Sequence, residues 1–156
     1  MGVEIERKFL VKDGMLADIE ITDVKTIKQG YLANSKEKSV RIRVNGNKGY
    51  ITVKGATSGI SKLEFEYEIP VDDANEMLEK LTDGKQIEKK RYISIVDGKT
   101  WEIDVFQGKN QGLVVAEVEL KSEDEAVTIP EWCGQEVSTD PKYINARLIE
   151  NPYSEW

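Results

Sequence analysis

Ionised residues recur at every second position along several segments of this chain, and that alternation restricts it to β-structure with two unlike faces. In Val3-Glu4-Ile5-Glu6-Arg7-Lys8-Phe9-Leu10, the residues Glu4, Glu6 and Lys8 share one parity. The pattern returns as Arg41 and Arg43, as Glu64, Glu66 and Glu68, as Glu102 and Asp104, and as Glu117 and Glu119. Side chains two apart on a strand point to the same side. The opposite parity is mostly apolar: Val40, Ile42 and Val44; Leu63, Phe65, Tyr67 and Ile69; Trp101, Ile103 and Val105; Ala116, Val118 and Leu120. Like charges in a row are unfavourable unless cations or opposite charges sit among them. The charged faces therefore suggest one site that holds both cations and a polyanion.

A water-facing sheet is the plainer explanation for any one of these strands. Such a face is normally mixed in sign and diluted with Thr and Ser. Here acids gather on four strands and arginines on another. A closed barrel with its charges inside explains this better, because interior and exterior positions alternate along barrel strands.

The elements support that reading. Strands are predicted over 3–11, 24–34, 38–46, 49–55, 61–70, 87–96, 99–107 and 113–121. Asn45-Gly46-Asn47 and Asp97-Gly98 mark hairpin turns. A short helical turn is expected over 13–20, a helix over 72–82 capped by Asp72 or Asp73, a helix start at Ser122-Glu123-Asp124-Glu125, and a terminal helix over 142–150. The helices at 72–82 and 142–150 are expected to cover part of the apolar faces. Ile93 and Ile95 break the pattern, since they share parity with Lys89 and Arg91; a bulge or the end of the barrel would account for it. The fold expected is mainly β within the α+β class: a closed eight-stranded antiparallel barrel with a few flanking helices, one domain over residues 1–156.

Composition narrows the partners. The net charge is −7, with 29 acidic and 22 basic residues, so duplex nucleic acid is not an expected ligand. No apolar run has the length of a membrane span and no signal peptide is read, so no membrane partner is expected. The lone Cys133 fits a cytoplasmic protein. Histidine is absent, which leaves carboxylates as the metal ligands and points to hard ions such as Mg²⁺ or Mn²⁺.

Glu4-Ile5-Glu6-Arg7-Lys8 resembles the ExExK signature of the CYTH superfamily, the triphosphate tunnel metalloenzymes. Gln29-Gly30-Tyr31-Leu32, Val40-Arg41-Ile42-Arg43, Ala116-Glu117-Val118-Glu119-Leu120 and the tail from Trp132 through Tyr143-Ile144-Asn145 extend the resemblance in order over essentially the whole chain. It implies a tunnel whose lumen holds a triphosphate and one or two divalent ions. Carboxylates beside phosphate require intervening metal, while arginine forks and lysines bind phosphate oxygens directly.

On this basis Glu4, Glu6, Glu117 and Glu119 are expected to bind metal, with Glu64, Glu66 and Asp104 as further ligands. Lys8, Arg41, Arg43, Lys54, Lys89 and Arg91 are expected to bind substrate, and Lys90 to face solvent. The resemblance also implies that Tyr31 and Lys89 orient or activate the attacking water, with Lys8 beside them; packing is the competing role for Tyr31. Lys142 and Arg147 are candidates to close one mouth.

The leading expectation is metal-dependent hydrolysis of inorganic tripolyphosphate to pyrophosphate and orthophosphate. A nucleotide-using enzyme (adenylate cyclase or thiamine triphosphatase) and a non-catalytic polyphosphate-binding module remain the alternatives. Aromatic residues near the C-terminus make a homodimer a further expectation.

Overall fold

The structure is a computed structural model. It describes residues 2–35 and 37–156, with Thr57 described in its backbone alone. Nine strands form one sheet: β1 (Val3–Val11), β2 (Asp23–Asn34), β3 (Lys38–Asn45), β4 (Lys48–Ser58), β5 (Ser61–Ile69), β6 (Gln86–Val96), β7 (Lys99–Phe106), β8 (Val114–Glu119) and β9 (Cys133–Glu136). Two α-helices accompany them, α1 (Val71–Leu81) and α2 (Asn145–Glu150). All pairings are antiparallel, and the order β5-β4-β3-β2-β6-β7-β8-β1 closes through β5–β1 into the expected eight-stranded barrel. Among the described residues no helix is long and apolar enough to cross a membrane.

Closure is narrow. Among the described residues Val3, Glu4 and Ile5 pair with β5, opposite Leu63, Lys62 and Ser61, and the Glu64 amide donates to the Gly2 carbonyl at 2.9 Å. Farther along the same edge of β1, Phe9 and Val11 pair instead with the short β9, which the alternation does not disclose. The Arg7 guanidinium clamps β9 through Glu136 at 2.7 and 3.0 Å. The β6–β7 turn Asp97-Gly98 lies in the left-handed region at both residues, φ 49° and 76°, the twist that a two-residue hairpin needs.

The apolar parity faces outward and is covered in two places. Phe9, Trp101, Ile103, Ala116, Val118 and Leu120 pack under the segments that carry Ile19 and Trp132. Ile42 packs against Ala74 and Leu78 of α1. Helix α1 lies close on the sheet because a side chain on Gly49 would stand 2.7 Å from the Ala74 Cβ. It starts one residue earlier than predicted, with Pro70 in the cap position and Asp72 and Asp73 in the first turn, where the helix dipole favours acids. Ile42 is fully buried, and Ile42→Val is expected to cost about 0.5–1.5 kcal/mol in thermal or urea unfolding.

Two expectations need correction, and a third, for Ile93 and Ile95, is resolved between its two alternatives. Ser122–Glu125 forms a bend and turn rather than a helix; there Ser122 Oγ donates to Asp124 and the Lys121 amide donates to Glu125. The register of β6 against β7 runs without a shift from Lys89 to Val96, so Ile93 and Ile95 involve no bulge. Ile95 is exposed and Ser94 is buried there, as expected where the hairpin runs past the lumen. Helix α2 does not cover the outer face. Its Leu148 packs with Ile87, Phe106, Leu113, Val115, Val137 and Tyr143. Ile87 shares the inward parity of Lys89, Phe106 lies opposite Lys89, and Val115 shares the parity of Glu117. Leu148 therefore sits over an apolar floor at one end of the lumen.

Candidate active site

Each charged row singled out by alternation contributes to one lumen, although Glu68 and Asp104 do not line it. Glu6 lies opposite Glu119, Lys8 opposite Glu117, and Glu102 opposite Glu117. On the other wall Arg41 lies opposite Thr52, and Lys54 opposite Glu64 and Ser39. The result is one cavity of about 1280 Å³ with two kinds of wall. Acids dominate where β1, β7 and β8 meet, and cations dominate on β3, β4 and β6. The lining includes Glu4, Glu6, Glu117, Glu119, Glu64, Glu66 and Glu102, with Lys8, Arg41, Arg43, Lys54, Lys89, Arg91 and Tyr31.

The acid wall is strained electrostatically. Burial, the adjacent Glu117 carboxylate and Glu4 raise Glu6 to about 8, against the pull of Lys8 and Lys62. Burial and a hydrogen bond with Glu4 raise Glu64 to about 7. Burial also acts against the Glu4 charge, but Glu64, Lys54 and Lys62 more than offset it and hold Glu4 at about 2. Glu117 is held well below the carboxylate range: burial opposes its charge, and Lys8, Arg91 and Lys89 overcome it.

Glu4 Oε1 is buried without a hydrogen-bond partner among the described residues. Lys54 and Lys62 stand 3.6 and 3.7 Å away, in ion-pair range but too far for hydrogen bonds. Crowded carboxylates with an orphaned buried oxygen are the donor chemistry of a hard divalent cation. In their present rotamers no three acids among the described residues converge into a coordination sphere. Glu4, Glu6 and Glu117 are instead engaged by lysines.

The cation wall is well tethered. Arg41 donates to Thr52 Oγ1 at 3.1 Å and Glu66 Oε2 at 3.3 Å. Arg43 donates through Nε to Gln29 Oε1 at 2.9 Å. Burial and the neighbouring Arg41 and Arg91 pull Arg43 down to about 9, so it stays charged at neutral pH. Burial and Arg41 pull Lys54 down to about 8. Lys8 shifts upward: burial opposes its charge, and Glu117, Glu6 and Glu4 outweigh burial.

Lys89 is 1 % exposed and donates to Asp104 Oδ2 at 2.7 Å and to Asn145 Oδ1 at 2.8 Å. Burial lowers it to about 7, with Arg91 and Arg43 adding to the effect and Asp104 opposing it. Lys90 is exposed, as its parity requires.

Asp104 departs from its expected place. Its parity is inward, but it is 1 % exposed and absent from the cavity wall. Both its oxygens are taken, one by Arg91 Nε at 2.8 Å, the other by Arg91 Nη2 at 2.9 Å and by Lys89. It anchors cations and is not placed to ligate a metal. Glu68 is exposed and lies outside the lining, whereas Glu102 lines the cavity and accepts from Arg91 at 3.1 Å. Tyr31 lines the cavity beside Arg41; burial raises its hydroxyl above the usual range, against Arg41, Arg43 and Lys8.

Arg147 lines the cavity, but Lys142 does not: its ammonium lies 4.3 Å from the Trp156 ring centroid and 5.5 Å from that of Tyr143. Tyr143, Tyr153 and Trp156 stack edge-on within one chain. Sequence reasoning misses Lys62, Thr52, Gln29 and Asn145. Lys62 is discoverable, since it shares the parity of Glu64 and pairs with Glu4.

A closed antiparallel barrel whose lumen sets an acid wall against a cation wall defines a protein built to enclose a polyanion together with metal. The CYTH domain model matches residues 2–150, and the chain belongs to that family. It is 50% identical over 153 residues to an inorganic triphosphatase of Acetivibrio thermocellus, covering 98% of this chain and 97% of that protein. It is 40% identical to an inorganic triphosphatase of Nitrosomonas europaea, covering 93% of this chain and 95% of the other. A crystal structure of an inorganic triphosphatase superposes with a TM-score of 0.65 at 37% identity, over 96% of this chain and 95% of that one.

Proposed function

We propose that this chain is a divalent-metal-dependent inorganic triphosphatase that cleaves tripolyphosphate to pyrophosphate and orthophosphate. The observation that carries this reading is the single cavity with an acid wall facing a cation wall, because a triphosphate and its counter-ions need both at once. The relatives named inorganic triphosphatase support the substrate.

In this scheme Arg41, Arg43, Lys54, Arg91 and Lys8 bind the phosphate oxygens, and Lys62 joins them. Glu4, Glu6, Glu117 and Glu119 hold Mg²⁺ or Mn²⁺, with Glu64 and Glu66 at the margin. When bound, such an ion would supply charge neutralisation and polarise water. A water oxygen attacks the terminal phosphorus, the bridging P–O bond breaks, and pyrophosphate leaves. Lys89, shifted to about 7, offers a neutral amine that can take the water's proton. Tyr31 orients the oxygens beside Arg41.

Phosphate release from tripolyphosphate, ATP and thiamine triphosphate, each with Mg²⁺ and with Mn²⁺, tests the reading. Tripolyphosphate is expected to turn over fastest and a chelator to abolish the rate. Fastest turnover of ATP to cyclic AMP would overturn it.

A pH effect follows from the acid wall. Glu6 and Glu64 have folded values above the ordinary 4.5, so the folded chain binds more protons than the unfolded one between 4.5 and about 7 to 8. Their contribution to stability is present below 4.5 and is lost as pH rises through the folded values. A ligating ion needs these groups ionised. The thermal shift produced by Mn²⁺ should therefore be larger above about pH 8 than below about pH 7. An equal shift at both would contradict metal binding by Glu6.

A further inference from the structure

Two neutral amides reach into the cation wall without a part in the scheme above. Gln29 of β2 is fully buried. Asn145 is the first residue of α2. Gln29 Oε1 accepts from Arg43 Nε at 2.9 Å, and Gln29 Nε2 donates to Asn145 Oδ1 at 3.2 Å. The same Asn145 oxygen accepts from Lys89 Nζ at 2.8 Å.

The polarity of this chain of bonds is forced from both ends. Arginine and a protonated lysine only donate, so Gln29 must turn its oxygen to Arg43 and its nitrogen to Asn145. Asn145 must then turn its oxygen to both Gln29 and Lys89. No other assignment of the two amides satisfies all four residues.

We propose that Gln29 and Asn145 are positioning residues, a neutral relay through which the C-terminal helix fixes the direction of Lys89 and the plane of Arg43. The proposal rests on the functional reading given above. Asp104 and Asn145 occupy two of the tetrahedral directions at Lys89 Nζ. What remains for the cavity is a lone N–H when Lys89 is charged, or its lone pair when it is neutral, and in either state the direction is set. Arg43 spends only Nε on Gln29, which leaves both terminal NH₂ groups for phosphate oxygens. Carboxylates at positions 29 and 145 could tether the same cations but would place negative charge beside a bound triphosphate; amides tether without that repulsion.

Helix α2 is also seated by Asn34 Nδ2 donating to the Ala146 carbonyl at 2.8 Å, by Lys85 pairing with Glu150 at 3.2 Å, and by the fully buried Leu148. Seating of the helix and aiming of Lys89 are thus one event. A helix that merely covered the barrel end would need no polar contact with the lysine.

The test is steady-state hydrolysis of tripolyphosphate by Asn145→Ala, Asn145→Asp, Gln29→Ala and the double alanine variant, with melting temperatures measured alongside. Asn145→Ala is expected to lower kcat by about tenfold to a hundredfold, the scale of a small misplacement of a reacting group, with KM changing far less. Asn145→Asp keeps an acceptor for both donors and should recover part of kcat. Gln29→Ala should act mainly on KM, through Arg43. The double variant should be no worse in kcat/KM than the poorer single, because one relay is broken once. Wild-type kcat in Asn145→Ala, no rescue by aspartate, or independent multiplying effects would each overturn the proposal. If Asn145→Ala does not fold, Gln29→Ala decides, and an unchanged KM overturns. If the wild-type protein binds tripolyphosphate without hydrolysing it, the functional reading fails instead. Calorimetric affinity then replaces kcat and KM: weaker binding in both single variants upholds the relay, and unchanged binding overturns it.

Discussion

Replacing Asp104 with alanine should unfold the protein more readily than any other single change in the cavity region. The carboxylate is buried between Lys89 and Arg91 and satisfies three of their hydrogen bonds. Its removal strips buried Arg91 of most of its pairing and leaves Lys89 without its carboxylate partner. Breaking a buried pair in this way costs about 3–5 kcal/mol. For a chain of this length that is a fall of roughly 6–20 °C in melting temperature. The pH dependence has a definite sign. Burial opposes the Asp104 charge, but Arg91 and Lys89 outweigh it and hold the group at about 2, below its ordinary 3.8. A depressed folded value stabilises the fold above the ordinary value and is lost as pH falls toward about 2. The gap between wild type and Asp104→Ala should therefore be full above pH 3.8 and shrink below it. Urea unfolding across acid pH measures this, and a constant gap would contradict the ionised Asp104.

Glu117→Gln should cost rate above all, with a loss of stability smaller than that of Asp104→Ala. Glu117 stands at the centre of the acid wall, opposite both Lys8 and Glu102, and its Oε1 lies 3.7 Å from Lys8 Nζ. The amide fills nearly the same space and relieves repulsion with Glu6, which offsets part of the lost attraction to Lys8, Arg91 and Lys89. The charge itself is what an ion and the developing phosphate charge require. Removing one preorganised electrostatic group of this kind lowers kcat by about 10²–10³-fold. Phosphate release at saturating tripolyphosphate, with Mn²⁺ varied, is the measurement. The variant should also need more Mn²⁺ for half its maximal rate. An active Glu117→Gln with an unchanged metal requirement would remove the acid wall from the chemistry.

The barrel is legible in the sequence because parity is a local signal. Strand β1 can be read at its observed bounds, since Glu4, Glu6 and Lys8 alternate with Ile5 and Phe9 over its whole length. Parity assigns a side chain to a face but says nothing of depth along the lumen. It therefore places Asp104 on the correct side while suggesting the wrong role. One pleat deeper than Glu102, Asp104 is sealed under Arg91. Ile95 misleads in the other direction, because past the lumen's end inside and outside lose their meaning. β9 carries no alternation of its own and exists as a partner for β1. The amides of Gln29 and Asn145 lie 116 residues apart in sequence, and nothing local marks either as facing a cation.

The stitching of the N-terminal strand bears on biosynthesis. Glu4, Glu6 and Lys8 precede the rest of the barrel in sequence, yet the strand that bears them is flanked by residues 61–63 and 115–119. Contacts of such long sequence separation form late in folding. Strand β1 therefore lacks its β8 partner until β8 itself has been translated. The acid wall should consequently assemble in one step, when β8 docks on β1, with no partly built precursor that holds it.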